Sequence, residues 1–197
     1  MDIMDTKLLA DAIDLLLAGE PEDARALIVE HDPFVPVRTQ ARTYSEKEKL
    51  QVFLRDGFID RYSGKRLVNP GILKSITCFF PEEFPYHPHW KMTQCHQAYW
   101  ELLPTVDHIV PVARGGADAV ENWVTTSMLN NSIKSNWTLA ELRWDICPAG
   151  DLAAWDGLTK KFLALAEATP CILSDPYIRR WYNVSKAGAQ DHKTEDG

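Results

Sequence analysis

The stretch from Pro104 to Asn136 constrains the fold of this chain more than any other part of it. Residues 105–109 and 122–125 are typical of short strands, because they are rich in β-branched and aromatic side chains. The loop between them contains Gly115-Gly116, which permits a tight turn. Residues 127–135 then have the pattern of a helix. This order predicts a β-hairpin that is followed directly by a helix.

Three polar residues of this stretch have the chemistry needed to hydrolyse a phosphodiester bond. Such a reaction needs a base for the attacking water and stabilisation of the developing negative charge. A histidine such as His108 can take a proton from water near neutral pH. Asp107 and Asn131 offer hard oxygen ligands of the kind that suit Mg²⁺. Because neighbouring side chains on a strand alternate between faces, Asp107 can reach a metal only where the strand ends or bulges.

The polar residues of this stretch, with their spacing, resemble the active centre of the HNH nucleases, which are ββα-metal endonucleases. The match covers residues 105–136, and a weaker match reaches back to about Arg55. The matching positions are Asp107-His108, Asn122, Asn131 and Lys134, with Gly115-Gly116 in the loop. The resemblance implies an α+β fold, in which a ββα-metal (HNH) core carries helical additions at both ends.

The resemblance also implies a role for each residue. His108 would be the general base, and Asp107 with Asn131 would hold one Mg²⁺ or Mn²⁺ ion, which makes the chain an H-N-N variant. Asn122 would hold the loop and the catalytic histidine in place. Cleavage of DNA would leave 5′-phosphate and 3′-hydroxyl ends. The basic residues expected to lend charge or to contact the phosphate backbone are Arg114 and Lys134.

Two segments resemble the zinc knuckles of many HNH proteins but lack their cysteines. Asp60 and Ser63 stand at the cysteine positions of the first knuckle, and Ser127 and Asn130 stand at those of the second. Since oxygen side chains replace all four thiolates, we expect no structural zinc. A second, unrelated zinc site is an open alternative, because four residues carry the right ligand types: His87, His89, Cys95 and His96.

The charge distribution bears on nucleic-acid binding. The net charge of −7 argues against a general nucleic-acid binder, since contacts with phosphate need cations. Residues 1–37 carry two basic and nine acidic side chains, whereas residues 38–145 carry thirteen basic and twelve acidic ones. The acidity is therefore a property of the N-terminal segment, and DNA stays the expected partner of the region with the motif.

The sequence pattern divides the chain into four segments. Residues 1–37 are predicted to be an acidic helical hairpin, with helices at 6–18 and 21–30. Its apolar stripe must be buried on the nuclease core, on a second copy of the chain or on a protein partner. The other segments are an HNH nuclease domain at 38–146, a C-terminal helical extension at 147–184 and a disordered tail at 185–197.

Other features predict a cytoplasmic protein that does not enter a membrane. The four cysteines form no C-x-x-C pair and are expected to be reduced. No apolar run approaches the roughly 18 residues that a membrane helix needs. The N-terminal residues are acidic where a signal peptide would be basic.

Two rival functions stay open at this point. One is a nuclease with another substrate preference: a nicking or structure-specific enzyme, or one directed at RNA. The other is a non-catalytic interaction module that keeps the HNH fold while the acidic hairpin binds a partner. The sequence preference and the biological role are not determined by these residues.

Overall fold

The computed structural model describes residues 6–34 and 44–195, with side chains described as far as Ala189. The chain divides into two compact units, Met1–Thr39 and Gln40–Gly197. The prolines at 33 and 36 predict a linker at residues 33–42, most of which lies outside the described residues. Within the described residues, no helix combines the length and apolarity needed to span a membrane.

Helices dominate the structure, and two strands form one antiparallel sheet. The first unit contains α1 (Thr6–Leu17) and α2 (Pro21–His31). The second contains α3 (Glu46–Arg55), α4 (Pro70–Phe79), α5 (Ala98–Glu101), β1 (Pro104–His108), β2 (Trp123–Ser127), α6 (Met128–Lys134), α7 (Leu139–Leu142), α8 (Thr159–Ala168) and α9 (Pro176–Glu195). The predicted α+β class is confirmed, as are the two N-terminal helices.

The hairpin lies where the sequence predicts it, within one or two residues at each end. Strands β1 and β2 pair in register from Pro104 opposite Ser127 to His108 opposite Trp123. Directly opposed residues share a face of the sheet, and neighbours alternate. Asp107 therefore lies on one face of the hairpin, and His108 lies on the other.

The second unit has one core, to which the C-terminal helices contribute. Helix α9 packs against α3, α4 and α8. Its Ile178 and Trp181 are buried with Phe53 from α3 and Phe162 from α8. Residues 147–184 are thus part of the same compact unit as the hairpin rather than a separate extension.

The prediction of a disordered tail from Ser185 onwards is wrong, because α9 continues to Glu195. Ser185 is buried, and its hydroxyl accepts a hydrogen bond from Nδ2 of Asn69 at 2.8 Å. Gly188 approaches the side chains of Leu50 and Leu54. Small residues pack this half of the helix closely without the apolar periodicity that sequence analysis looks for.

Other boundaries differ for local reasons. The spacing of Ser45 with Glu48 and of Thr138 with Glu141 predicts helix starts with capping boxes. The structure has both boxes, at the starts of α3 and α7. The sequence predicts that the second of these helices reaches about residue 146, but α7 ends at Leu142 because Arg143 takes a left-handed conformation.

Two further sequence patterns form less regular structure than they predict. The periodicity of residues 152–168 predicts a helix, but residues 152–158 form turns, and Gly157 has a positive φ beside the ring of Phe58, which a Cβ would strike. Residues 58–68 have the pattern of a hairpin, of which the structure keeps one bridge, between Ile59 and Arg66.

Candidate active site

Helix α6 covers the face of the hairpin that carries Asp107. Asn131 and Lys134 lie one turn apart on α6, so both face β1. The side-chain amide of Asn131 donates to Oγ1 of Thr105 at 3.0 Å and to the carbonyl of Val106 at 3.5 Å. Since a carbonyl only accepts, these contacts fix the orientation of the amide, and Oδ1 of Asn131 faces away from them.

Asp107 is buried and held by two donors. The hydroxyl of Tyr62 donates to Oδ2 of Asp107 at 2.7 Å, and Nζ of Lys134 lies 3.0 Å from the same oxygen. Nζ of Lys134 also donates to the backbone carbonyl of His108 at 2.7 Å. Burial and the neighbouring carboxylate of Asp107 raise the pKa of Tyr62, so that it stays a hydroxyl donor.

Lys134 is an internal cation in this arrangement, with a side chain that has no exposed surface. It balances the charge of Asp107 and ties down the last residue of β1. A fully buried ammonium that is already paired with Asp107 cannot make a hydrogen bond to a phosphate bound at the surface. The predicted contact between Lys134 and nucleic acid would therefore require α6 to move.

His108 faces a different set of partners on the other side of the hairpin. Its Nε2 lies 3.1 Å from Oδ1 of Asp118 and 3.3 Å from the hydroxyl of Tyr44. The Tyr44 hydroxyl and the indole N–H of Trp123 each donate to that same Asp118 oxygen at 3.0 Å. The imidazole is partly accessible, with 19% of the side chain exposed. The sequence analysis missed Asp118 and Tyr44, and the only available signal for Asp118 was an acid in the loop between the strands.

Asn122 fastens the loop between the two strands. Its Oδ1 accepts from the N–H of Val110 at 2.9 Å, while its amide donates to the carbonyls of Val110 and Ala117 at 2.9 and 2.8 Å. Gly116 lies so close that a Cβ there would collide with the Val110 carbonyl. Through these contacts Asn122 connects Val110 to Ala117 and so holds the loop closed.

Arg114 is the more accessible of the two basic residues expected at the phosphate. Its side chain is 35% exposed, and its guanidinium reaches the carbonyl of Asn136 at 3.3 Å and the carboxylate of Glu141 at 3.4 Å. Both contacts are long, and the pair with Glu141 is partly solvated, so it is weak. Arg114 can therefore turn to a phosphate at little cost.

The donor set of Asp107 and Asn131 fits a hard divalent cation. Oδ1 of Asp107 and Oδ1 of Asn131 accept no hydrogen bond from any described residue. One carboxylate and one amide oxygen are few ligands, and Mg²⁺ tolerates such sites because it keeps most of its waters. No cluster of three or more His, Cys, Asp or Glu residues suited to a metal occurs in the described part of the chain. Such an ion would thus depend on phosphate oxygens for the rest of its charge compensation.

A buried carboxylate occupies the centre of the two cysteine-free knuckles. Asp60 is 1% exposed, and its two side-chain oxygens accept four hydrogen bonds of 2.8–3.1 Å. The donors are the N–H of Tyr62, the hydroxyl of Thr126, the N–H of Ser127 and the amide of Asn130. Asp60 therefore joins the first of the two segments predicted to replace zinc knuckles to the second.

The four residues of the alternative zinc site make local contacts instead. His87 accepts through Nδ1 from the N–H of His89, and Sγ of Cys95 accepts from the N–H of His87. His96 stacks on Phe84, with ring centroids 4.2 Å apart. These contacts account for the side chains as parts of an aromatic-rich segment. All four cysteines carry free thiols.

Comparison with protein-family models, with curated proteins and with solved structures found no match for this chain. The family resemblance therefore stays a prediction, and the functional argument depends on the geometry of the residues described above.

Proposed function

We propose that this protein is a metal-dependent endonuclease of the HNH type that hydrolyses phosphodiester bonds in DNA. The observation that carries the proposal is the hairpin with its covering helix α6. In it, the last two residues of β1 are an aspartate and a histidine on opposite faces. Asn131 and Asp107 supply oxygen ligands on the α6 side, and His108 flanks the same end of the strand from the other side.

Each residue has a role in this proposal. His108 takes the proton of the attacking water. Asp107 and Asn131 would hold Mg²⁺ or Mn²⁺, which would supply Lewis-acid stabilisation of the phosphate and of the leaving 3′ oxygen. Asn122 holds the loop that flanks His108, and Lys134 positions Asp107 rather than touching the substrate. The backbone contact is assigned to a partly exposed cation, Arg114.

The charge balance is consistent with DNA as a weakly held substrate. The near-neutral region at residues 38–145 cannot release many counterions on binding, so the salt dependence of binding should be shallow. Affinity would then depend on the metal and on the shape of the DNA at the scissile phosphate. Nicking activity, a preference for bent or branched DNA, and cleavage of RNA are distinguishable outcomes of the same assay.

The test is cleavage of supercoiled plasmid, linear DNA and RNA in parallel, with and without Mg²⁺ or Mn²⁺. We expect metal-dependent cutting of DNA by the wild type and a loss of at least about 100-fold in His108→Ala, since a general base contributes that much. The circular dichroism spectrum of this variant should not change. An exposed histidine, His89, provides the matched control, and His89→Ala should cut like the wild type. Absence of cutting by the wild type on every substrate and metal would refute the proposal.

A second candidate is the non-catalytic interaction module, which one observation favours. In the first unit, apolar side chains of α1 are exposed, with Leu17 at 82% and Ile13 at 53%. An exposed apolar stripe on an acidic helix is typical of a protein-binding surface. This candidate predicts that Ile13→Asp with Leu17→Asp abolishes capture of a partner and that no metal produces cleavage.

A further inference from the structure

We propose that Asp118 is a positioning residue for His108. Its carboxylate accepts a hydrogen bond from the Nε2–H of His108, which fixes the tautomer of the imidazole and leaves Nδ1 as the nitrogen that takes the proton from water. The inference depends on the proposed nuclease function for its chemistry, but the hydrogen-bonding arrangement can be tested without it.

The donors around Asp118 determine where the hydrogen lies. Oδ1 of Asp118 receives the indole N–H of Trp123, which can only donate, and the hydroxyl of Tyr44. Oδ1 of Asp118 is therefore an acceptor towards both groups. A bare Nε2 at 3.1 Å would place two lone pairs against each other. Nε2 of His108 therefore carries a hydrogen, and it donates that hydrogen to Asp118.

The contact with Tyr44 agrees with this assignment. Because the Tyr44 hydroxyl donates its hydrogen to Asp118, it takes part in the 3.3 Å contact with Nε2 of His108 as an acceptor. The two acceptors share one N–H on the same edge of the ring. A ring turned over would place Cε1 beside the two oxygens and lose both hydrogen bonds, so the neighbourhood selects one orientation as well as one tautomer.

Asp118 is itself held in place by the loop. The amide of Asn122 donates to the carbonyl of Ala117, the residue just before Asp118. The indole of Trp123, which is 4% exposed, holds the carboxylate from the start of β2. Asn122 is predicted to hold the catalytic histidine in place, and these contacts suggest how it acts. Asn122 fixes the loop, and the loop fixes Asp118, the partner of His108.

The consequence for the reaction is a defined route for one proton. A neutral imidazole has one donor and one acceptor nitrogen. With the Nε2–H of His108 hydrogen-bonded to Asp118, a proton from the attacking water moves to Nδ1 while the water oxygen forms its bond to phosphorus. The bond from phosphorus to the 3′ oxygen breaks, and that oxygen takes a proton from solvent. The Nε2 hydrogen stays on His108 throughout.

The first test reads the hydrogen directly by NMR of the full-length ¹⁵N-labelled protein at alkaline pH, where histidines are ordinarily neutral. The chain has six histidines, and the ring signals of His108 are those that disappear in His108→Gln. We expect an exchange-protected Nε2 proton and a bare Nδ1. Protection should be lost in Asp118→Ala and partly retained in Asp118→Asn, which keeps an acceptor oxygen. An observed Nδ1 hydrogen, or an Nε2 without one, would overturn the inference.

The second test uses cleavage kinetics with a control from the same loop. Glu121 is exposed and makes no hydrogen bond or ion pair with any described residue, so Glu121→Ala removes the same charge without touching His108. We expect Asp118→Ala to lower kcat by at least about 10-fold, with KM for DNA changed less than about twofold, since a positioning residue acts on the chemical step. The kcat of Asp118→Asn should lie between those of Asp118→Ala and the wild type.

The outcomes separate this inference from the proposed function. If the wild type cuts DNA and Asp118→Ala has the same kcat as Glu121→Ala, the inference is overturned and the nuclease stands. If the wild type cuts none of the substrates, the proposed nuclease function is refuted, and the NMR experiment still decides whether Asp118 fixes the tautomer of His108.

Discussion

Replacing Asp60 with alanine should cost the second unit about 3–5 kcal/mol of unfolding free energy, as removal of one partner from a buried charged network does. The structure gives the reason, since four buried donors converge on its carboxylate. Each donor left without a partner costs about 1–3 kcal/mol. Part of the total is offset, because a carboxylate no longer has to be buried.

The conservative variant Asp60→Asn separates hydrogen bonding from packing. It keeps the shape of the side chain and one acceptor oxygen, so about half of the donors still have a partner. The unfolding free energy should therefore fall by about 1.5–3 kcal/mol. Asp145 provides the control, because it is exposed and makes no hydrogen bond or ion pair with any described residue. Asp145→Ala should change the stability by less than about 0.5 kcal/mol.

Urea unfolding followed by tryptophan fluorescence measures the unfolding free energy of the second unit, which contains Asp60. All seven tryptophans lie in Gln40–Gly197, so the signal reports on that unit alone. With a slope of about 2 kcal/mol per molar urea, the alanine variant should lower the midpoint by about 1.5–2.5 M at unchanged slope. A loss below about 1 kcal/mol in Asp60→Ala would refute the role of Asp60 as the centre of the knuckle region.

Two further predictions concern the same unit. Burial raises the pKa of Tyr62 and of Tyr99 in the folded protein. The stability that each tyrosine contributes is therefore complete below the pKa of about 10 that it has in the unfolded chain. Above that pH, the free energy of unfolding falls by about 1.4 kcal/mol per pH unit for each tyrosine. Tyr62→Phe should reduce the alkaline slope of unfolding free energy by that amount, and equal slopes in the two proteins would contradict the assignment. Deleting residues 185–197 should cost about 2–4 kcal/mol in urea unfolding, since it removes the partner of Asn69 and uncovers Leu50. If residues 185–197 were a disordered tail, their deletion would leave the unfolding free energy unchanged.

The sequence predicts those parts of the structure whose causes are local. The capping box of Ser45 with Glu48 involves residues three positions apart, and the hairpin with its helix is a pattern within about thirty residues. Asp118 was missed because its contact with His108 crosses a loop and follows no periodicity. The burial of Lys134 was also not predictable from the sequence, because it depends on Tyr62 and Asp107, which belong to two other segments of the chain.

The free edge of β2 explains how so small a sheet can hold a site in place. A two-stranded hairpin is marginal alone, and an edge strand exposes unpaired backbone groups. Here the segment at residues 55–61 supplies partners along the edge that β1 leaves open. The pairs are Arg55 with the carbonyl of Trp123, Asp56 with the N–H of Thr125, the N–H of Arg61 with the carbonyl of Thr125, and Asp60 with the N–H of Ser127, at 2.5–3.1 Å.

These four contacts act as a third strand built mostly from side chains, and every residue of β2 is buried as a result. The same segment therefore completes the sheet and, through Asp60, anchors the start of α6, which carries Asn131 and Lys134. Asp60 serves both functions, because it accepts from the N–H of Ser127 at the edge of β2 and from the amide of Asn130 in α6. Under the proposed HNH function, this carboxylate would do structurally what a zinc ion does between two cysteine knuckles.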